Sequence, residues 1–153
     1  PQTLQISRIR FEGYKKALKK NNIPLDMQLV RSVDFTRKDT EKAMLSLMRL
    51  KHPPTGIFTF KNDITLDAIW FLKRNYPDKL STIDFTDFGN LPFFDYLDHK
   101  PIASIEEDFY VVGKRAAELL FDIIKNKEVA HPKKIEIPCK LVVHKPSGAT
   151  NKS

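Results

Sequence analysis

Apolar side chains recur at two spacings along this chain of 153 residues. Four stretches repeat them every three or four positions, which is the spacing of one face of an α-helix. Shorter β-branched and aromatic runs lie between these stretches and predict buried strands. The pattern predicts helices over 6–21, 38–50, 63–75 and 109–125. It predicts strands over 29–33, 57–60, 82–85 and 102–105, and two short strands broken at Pro138 within 133–144.

Strands that alternate with helices are typical of a mostly parallel sheet with helices on both faces. We therefore predict an α/β fold of three layers. The predicted domain covers residues 1–147, and 148–153 is a polar tail.

The stretch 55–63 (TGIFTFKND) organises the predicted sheet. A short apolar run ends in Asn62 and Asp63, and a helical pattern begins directly behind them. A buried parallel strand brings a polar side chain to the carboxyl edge of a sheet in this way. Ligands of open α/β sheets bind at that edge.

Three further residues are predicted near the same edge. Asp87 follows the strand at 82–85, Phe35 lies in a loop after the strand at 29–33, and Arg10 lies in the first helix. A carboxylate, an amide and a guanidinium beside an aromatic ring suit a polyhydroxylated or planar polar ligand. Asn62 and Asp87 are equally well explained as helix N-caps, and the pattern alone leaves both interpretations open.

The net charge of +7 suggests a nucleic-acid-binding surface when taken alone. The basic residues are spread along the chain rather than gathered in one arm, so we interpret them as solvated helix faces. The single cysteine, Cys139, excludes an internal disulfide and favours a reducing compartment. No stretch approaches the roughly 20 apolar residues of a membrane span.

Signatures of catalysis and of metal binding are not found in the sequence. The five glycines do not make a phosphate loop or a dinucleotide-binding spacing. The four histidines have no metal-ligand spacing with one another or with Cys139. The acidic run at 106–108 is interpreted as the N-terminal cap of the helix that follows. We predict no enzyme, no catalytic residues, no metal and no cofactor.

Several short runs occur together in the order and spacing of one known family. They are 7–18 (SRIRFEGYKKAL), 54–63 (PTGIFTFKND), 81–87 (STIDFTD), 101–105 (PIASI), 109–120 (FYVVGKRAAELL) and 141–147 (LVVHKPS). Together they resemble the effector-binding domain of the LacI/GalR family of bacterial transcription regulators. The resemblance covers about residues 7 to 147.

This resemblance implies a type I periplasmic-binding-protein-like fold, in which two α/β lobes hold a sugar or nucleobase between them. It implies that the chain is mainly the C-terminal lobe, with about 106–137 crossing to or belonging to the other lobe. A DNA-binding head, the first lobe and the opening strands of the second lobe are expected before Pro1. Nothing in the chain resembles a helix-turn-helix, so DNA contacts are expected only through that head.

The resemblance also assigns candidate ligand-binding residues. In the family the positions of Arg10, Asn62 and Asp87 bind effector, and the aromatic position of Phe35 packs on the ligand. Glu107 and Phe109 lie in the segment that crosses between the lobes, which makes them further candidates.

The helix at 63–75 carries apolar residues around nearly its whole circumference, which indicates burial on more than one side. A second apolar cluster follows the strand at 82–85. In the resembled family these elements form a two-fold dimer contact. We therefore predict a homodimer through Leu66, Ile69, Trp70, Phe93 and Phe94, with folding of Trp70 and the 93–97 cluster onto the same sheet as the alternative.

The predicted function is that of the ligand-sensing and dimerisation domain of a cytoplasmic LacI-type regulator that binds a sugar or related polar metabolite. The first alternative is a periplasmic sugar receptor of the same fold, which an upstream signal peptide would favour. The second is a doubly wound enzyme with Asp87 or Glu107 as base. Fold analogy does not separate these three classes.

Overall fold

The computed structural model describes residues 5–126 and 134–144. Helices and strands alternate along this part of the chain. The α-helices are α1 (Gln5–Lys20), α2 (Arg37–Met48), α3 (Asn62–Asn75), α4 (Pro77–Leu80) and α5 (Phe109–Asn126). The strands are β1 (Gly56–Phe58), β2 (Asp84–Phe88), β3 (Ala103–Glu106) and β4 (Lys140–Val143). Short 3-10 helices occupy Met27–Leu29 and Pro92–Tyr96.

The strands form one sheet in the order β1-β2-β3-β4. β1, β2 and β3 are parallel, and β4 runs antiparallel to β3. The register aligns Ile57 with Phe85, and Asp87 with Ser104. Since side chains alternate between the two faces of a strand, Phe85 and Asp87 share one face of β2.

Helices cover the sheet from both sides. On one side Phe85 is buried together with Leu72 of α3 and Met44 of α2. On the other side Tyr14 of α1 stacks on Phe58 of β1, with ring centres 6.4 Å apart. The predicted α/β class, a mostly parallel sheet with helices on both faces, is confirmed.

The predicted strand at 29–33 is wrong. Met27–Leu29 is a 3-10 helix, and residues 30–34 have no regular structure. A space of about 820 Å³ separates this segment from β1. Apolar residues there satisfy the sequence pattern of a strand, but no strand within residues 5–126 and 134–144 lies beside them to complete the hydrogen bonding.

Other strand predictions also differ from the structure. β1 ends at Phe58, whereas the predicted strand ends at residue 60. Within 134–144 the structure has one strand, β4, and residues 134–139 around Pro138 have no regular structure. β2 extends from Asp84 to Phe88, whereas the predicted strand ends at residue 85. The three extra residues place Asp87 inside the sheet.

The predicted dimer residues divide into two groups. Ile69 and Phe94 are 7% and 1% exposed, so both are unavailable to a second copy of the chain. Ile69 belongs to the core that α3 shares with the sheet, and Phe94 packs against Phe93 with ring centres 5.5 Å apart. Trp70 and Phe93 are 37% and 43% exposed, and Leu66 is half-buried.

Helix α5 presents apolar side chains to solvent. The residues concerned, each at least 40% exposed, are Phe109, Tyr110, Val112, Leu120, Phe121, Ile123 and Ile124. Residues 127–133 and 145–153, which include part of the predicted crossing segment and the predicted polar tail, lie outside the described residues. Within the described ranges, no helix is both long and apolar enough to cross a lipid bilayer.

Candidate functional site

A cavity of about 470 Å³ lies at the carboxyl end of β1 and β2. Five elements reach it: the start of α1, the loop before α2, the turn between β1 and α3, the end of β2, and the segment after β3. The lining residues are Ile6, Arg10, Phe35, Phe60, Lys61, Asn62, Phe88, Gly89, Glu107 and Phe109. Five of the six predicted ligand-binding residues are among them, and Asp87 is not.

Arg10 is held in place by partners on three elements. Its guanidinium donates to the backbone oxygen of Phe60 at 2.5 Å and to Glu107 Oε1 at 3.3 Å. Its Cζ lies 3.6 Å from the ring centre of Phe88 and 5.2 Å from that of Phe60. Such cation–π contacts stabilise a guanidinium over a ring face.

Burial lowers the pKa of Arg10, and the carboxylate of Glu107 and then Cys139 act in the opposite direction. A guanidinium nevertheless keeps its proton in proteins. The site therefore presents a fixed positive charge beside aromatic surface.

Phe35 reaches the cavity from an unusual backbone conformation, with φ at 70°. Asp34 accepts hydrogen bonds from the backbone N–H and the hydroxyl of Thr36. Thr36 in turn caps α2 by accepting from the N–H of Asp39. These local bonds fix the loop. The centres of the Phe35 and Phe60 rings lie 5.4 Å apart.

Asn62 is the first residue of α3. Its Oδ1 accepts the N–H of Asp63 at 2.8 Å, whereas a typical N-cap side chain accepts from a residue two or three positions further on. Gly89, at φ +102°, faces it, and a Cβ there would lie 2.8 Å from Asn62 Nδ2. The absence of a side chain at Gly89 is therefore what leaves room for the Asn62 amide.

The expectation that Asp87 lies in this cleft is wrong. Its side chain is 1% exposed and accepts a hydrogen bond from Thr65 Oγ1 at 3.0 Å on the α3 side of the sheet. Burial raises the pKa of Asp87, while the hydroxyls of Ser104 and Thr65 and the nearby His144 act in the opposite direction. The hypothesis of Asp87 as a catalytic base loses its support, because a buried carboxyl does not reach a substrate in the cleft.

Sequence reasoning misses two of the four phenylalanines that line the cavity, and it also misses Gly89. Phe60 lies within the strand predicted at 57–60, and Phe88 and Gly89 fall in the loop predicted after residue 87. The signal available in the sequence is position, since each of the three lies within two residues of the end of a parallel strand. Asn90, next to Gly89, donates to Glu106 Oε2 at 2.7 Å and ties the end of β2 to the end of β3.

The arrangement suits reversible binding rather than covalent chemistry. An amide, a guanidinium and a carboxylate offer donors and acceptors, and phenylalanine rings offer apolar faces. No group of three or more His, Cys, Asp or Glu side chains with the geometry of a metal site occurs among residues 5–126 and 134–144.

Comparison with known proteins gives the family. The profile of the periplasmic binding protein-like domain matches residues 1–145. The HTH-type transcriptional repressor CytR of Escherichia coli K12 is 30% identical over 146 residues, which cover 94% of this chain and 41% of CytR. The HTH-type transcriptional repressor PurR of Actinobacillus pleuropneumoniae serotype 3 is 28% identical over 151 residues, covering 96% of this chain and 44% of PurR.

Solved structures show the same fold. A LacI-type transcriptional regulator from Bacillus cereus subsp. cytotoxis matches with a TM-score of 0.78 at 28% identity, over 92% of this chain and 49% of that one. The regulator CelR in complex with cellobiose matches with a TM-score of 0.79 at 23% identity, over 97% and 44%. A LacI family regulator from Enterococcus faecium with bound ribose matches with a TM-score of 0.71 at 21% identity, over 87% and 48%.

The chain spans less than half the length of the curated relatives that it matches. Within that span the profile match, the relatives and the fold agree. The chain therefore belongs to the periplasmic binding protein-like domain family, as its resemblance to the LacI/GalR regulators predicts.

Proposed function

We propose that the chain is the effector-binding part of a LacI-type transcription regulator and that the cavity around Arg10 and Asn62 holds a small polar effector. The observation that carries this proposal is the convergence of Arg10, Asn62 and Glu107 on one cavity together with phenylalanine rings. Charged and amide groups fix the orientation of a ligand, and aromatic faces supply contact area.

A sugar fits this combination of groups best. The Asn62 amide both donates to and accepts from its hydroxyls, Glu107 accepts from them, and Arg10 donates to them. The apolar face of the sugar ring packs on phenylalanine. Two proteins of the same fold hold ribose and cellobiose, which supports this class of ligand. A nucleobase is the second candidate class, because it also packs on aromatic rings.

Helix α5 begins at the cavity, with its first residue Phe109 in the lining. The apolar side chains exposed along this helix, among them Leu120 and Phe121, support the expectation that about 106–137 belongs to a second lobe. A ligand bound between two lobes favours their closed arrangement. The change from open to closed lobes is then what couples ligand binding to the DNA-binding head. In this proposal DNA is contacted by that head and the regulator is cytoplasmic.

A receptor of the periplasmic type remains the alternative with the same site. The two curated relatives described above are transcriptional repressors, which favours the regulator. We further propose a homodimer, whose contact is supported by the exposed Trp70 and Phe93 and the half-buried Leu66.

Calorimetric titration of the chain with ribose, cellobiose and a nucleoside series tests the site. We expect one class of probe to bind, and Arg10→Gln and Asn62→Ala to weaken that binding by about 1–3 kcal/mol each. Arg8→Gln is the matched control, since Arg8 is exposed on the same helix. Binding that survives Arg10→Gln unchanged would contradict the proposed site.

A further inference from the structure

A row of buried polar side chains lies beneath the cleft. Thr59, Thr65, Asp87 and Ser104 are all at most 6% exposed. Thr59 Oγ1 lies 2.5 Å from Thr65 Oγ1, and Thr65 Oγ1 lies 3.0 Å from Asp87 Oδ2. Asp87 and Ser104 are register partners on neighbouring strands. The row therefore runs from the end of β1 across β2 to β3.

One end of this row reaches the wall of the cleft. The backbone oxygen of Lys61 lies 3.4 Å from the hydroxyls of both Thr59 and Thr65. The same oxygen accepts the N–H of Ile64 at 3.1 Å, which begins α3. Lys61 precedes Asn62, so the peptide at this end of the row carries the amide side chain that lines the cleft.

The hydrogen-bond direction along the row depends on the proton of Asp87. A hydroxyl has one proton to donate. When Asp87 is ionised, Thr65 donates to it and the Thr65 oxygen accepts from Thr59. When Asp87 carries a proton on Oδ2, it donates to Thr65, the order reverses, and a threonine proton becomes free for Lys61 O.

We infer that Asp87 is a positioning residue for the cleft: when it is protonated, a threonine hydroxyl of the row donates to the backbone oxygen of Lys61, which holds the peptide between Lys61 and Asn62 and so orients the Asn62 amide. This role rests on the proposed function, in which the cleft is the effector site. An apolar side chain at position 87 would fill the same space without this connection. Burial of a carboxyl whose Oδ1 has no hydrogen-bond partner within the described residues is costly, which a purely space-filling role does not explain.

Three groups face Asp87 from the elements packed against it. α3 presents Thr65 and β3 presents Ser104, neither of which titrates. The segment after β4 presents His144, whose Nε2 lies 3.0 Å from Ser104 Oγ. Asp95, on the 3-10 helix Pro92–Tyr96, interacts with His144. His144 is thus the other ionisable group whose effect on the row must be separated from that of Asp87.

Nuclear magnetic resonance of the ¹⁵N-labelled chain between about pH 4 and 8 tests the inference without any ligand. The side-chain amide of Asn62 is the reporter. We expect its signals to titrate with a midpoint above that of an ordinary carboxyl. Asp87→Asn keeps an acceptor for Thr65 but cannot ionise, so this titration should disappear. In His144→Gln it should persist.

A second pair of variants tests the connection while leaving Asp87 in place. Thr65→Val removes the hydroxyl at nearly constant volume and should abolish the Asn62 titration. Thr65→Ser keeps the hydroxyl and should restore it. This pair still decides the matter if Asp87→Asn does not fold.

The inference would be overturned if the pH dependence of the Asn62 side-chain signals (its profile) were the same in the unmodified chain and in Asp87→Asn or Thr65→Val. Loss of the profile in His144→Gln, with retention in Asp87→Asn, would assign it to the histidine and also overturn it. Failure of the proposed function is seen elsewhere, as an absence of sugar or nucleoside binding, and it leaves these profiles unchanged.

Discussion

The guanidinium of Arg10 lies over the ring of Phe88, with 3.6 Å between Cζ and the ring centre. Phe60 lies on the same guanidinium at 5.2 Å. The two rings thus fix the plane of the guanidinium before any ligand binds. The nearer ring, Phe88, contributes more to the cation–π stabilisation.

Phe88→Leu should therefore lower the free energy of unfolding by about 1–2 kcal/mol through the lost cation–π contact. Phe60→Leu, at the more distant ring, is the matched control and should cost less. Urea unfolding of the two variants measures the difference. An equal or larger loss in Phe60→Leu would contradict the assignment of Phe88 as the main partner.

The stability of the fold should depend on pH through Asp87. Burial raises the pKa of Asp87, so the folded chain keeps this proton to a higher pH than the unfolded chain. The folded state binds more protons between the ordinary and the raised pKa, and stability falls as pH rises through that window.

Asp87→Asn cannot ionise, so its free energy of unfolding should lack this fall above about pH 4. Asp84→Asn changes an exposed carboxyl on the same strand and should leave the fall in place. Urea unfolding at a series of pH values gives the two slopes. A fall of the same size in Asp87→Asn and in the unmodified chain would refute this prediction.

Two glycine-to-alanine changes should act in opposite directions. Gly89 has φ +102°, and a Cβ there would meet Asn62 Nδ2 at 2.8 Å, so Gly89→Ala should lower the free energy of unfolding by about 1–3 kcal/mol. Gly13 lies within α1, and a Cβ added there would meet nothing within 4 Å, so Gly13→Ala should raise it by about 0.5–1 kcal/mol. Thermal unfolding of both variants checks the signs. Equal signs would show that backbone conformation is not what distinguishes the two sites.

The proposed dimer should respond to exposed residues and not to buried ones. Phe93→Asp and Trp70→Glu place charges on side chains that are 43% and 37% exposed, so each should shift sedimentation towards the monomer while the chain stays folded. Ile69→Asp buries a charge in the core and should unfold the chain instead. An unmodified chain that sediments as a monomer at tens of micromolar, roughly the concentration range for weak interfaces, would exclude the dimer.

Much of the architecture is predictable from the sequence because it depends on periodicity. The helical stretches carry apolar residues at helical spacing over many positions, so boundary errors there amount to about two residues or fewer, as at Arg37–Met48 and Asn62–Asn75. The segment at 29–33 shows the limit of this reasoning. Its apolar residues match a strand, but a strand also needs a neighbour, and pairing is not visible in a local pattern.

The same distinction explains the candidate site. Asn62 lines the cavity because the parallel strand β1 ends just before it, and that rule depends only on strand order. Arg10 reaches the same cavity from helix α1, and Phe35 from a loop with no strand before it in the described residues, so the rule does not explain their positions. Asp87 is misplaced by sequence reasoning because a polar residue after an apolar run indicates the end of a strand. A hydrogen bond from Thr65 compensates one oxygen of the buried carboxyl. A partner of this kind lies on another element and has no signature near Asp87 in the sequence.

The left-handed backbone of Phe35 has a consequence for how this chain tolerates substitution. At φ 70° a residue with a side chain is strained and glycine is not, so stability alone favours glycine at this position. The aromatic ring and the relaxed backbone are therefore in conflict at one residue. Phe35→Gly should gain stability relative to Phe35→Ala although both lack the ring, and a chain selected for robustness alone would drift towards glycine here and lose one wall of its cavity.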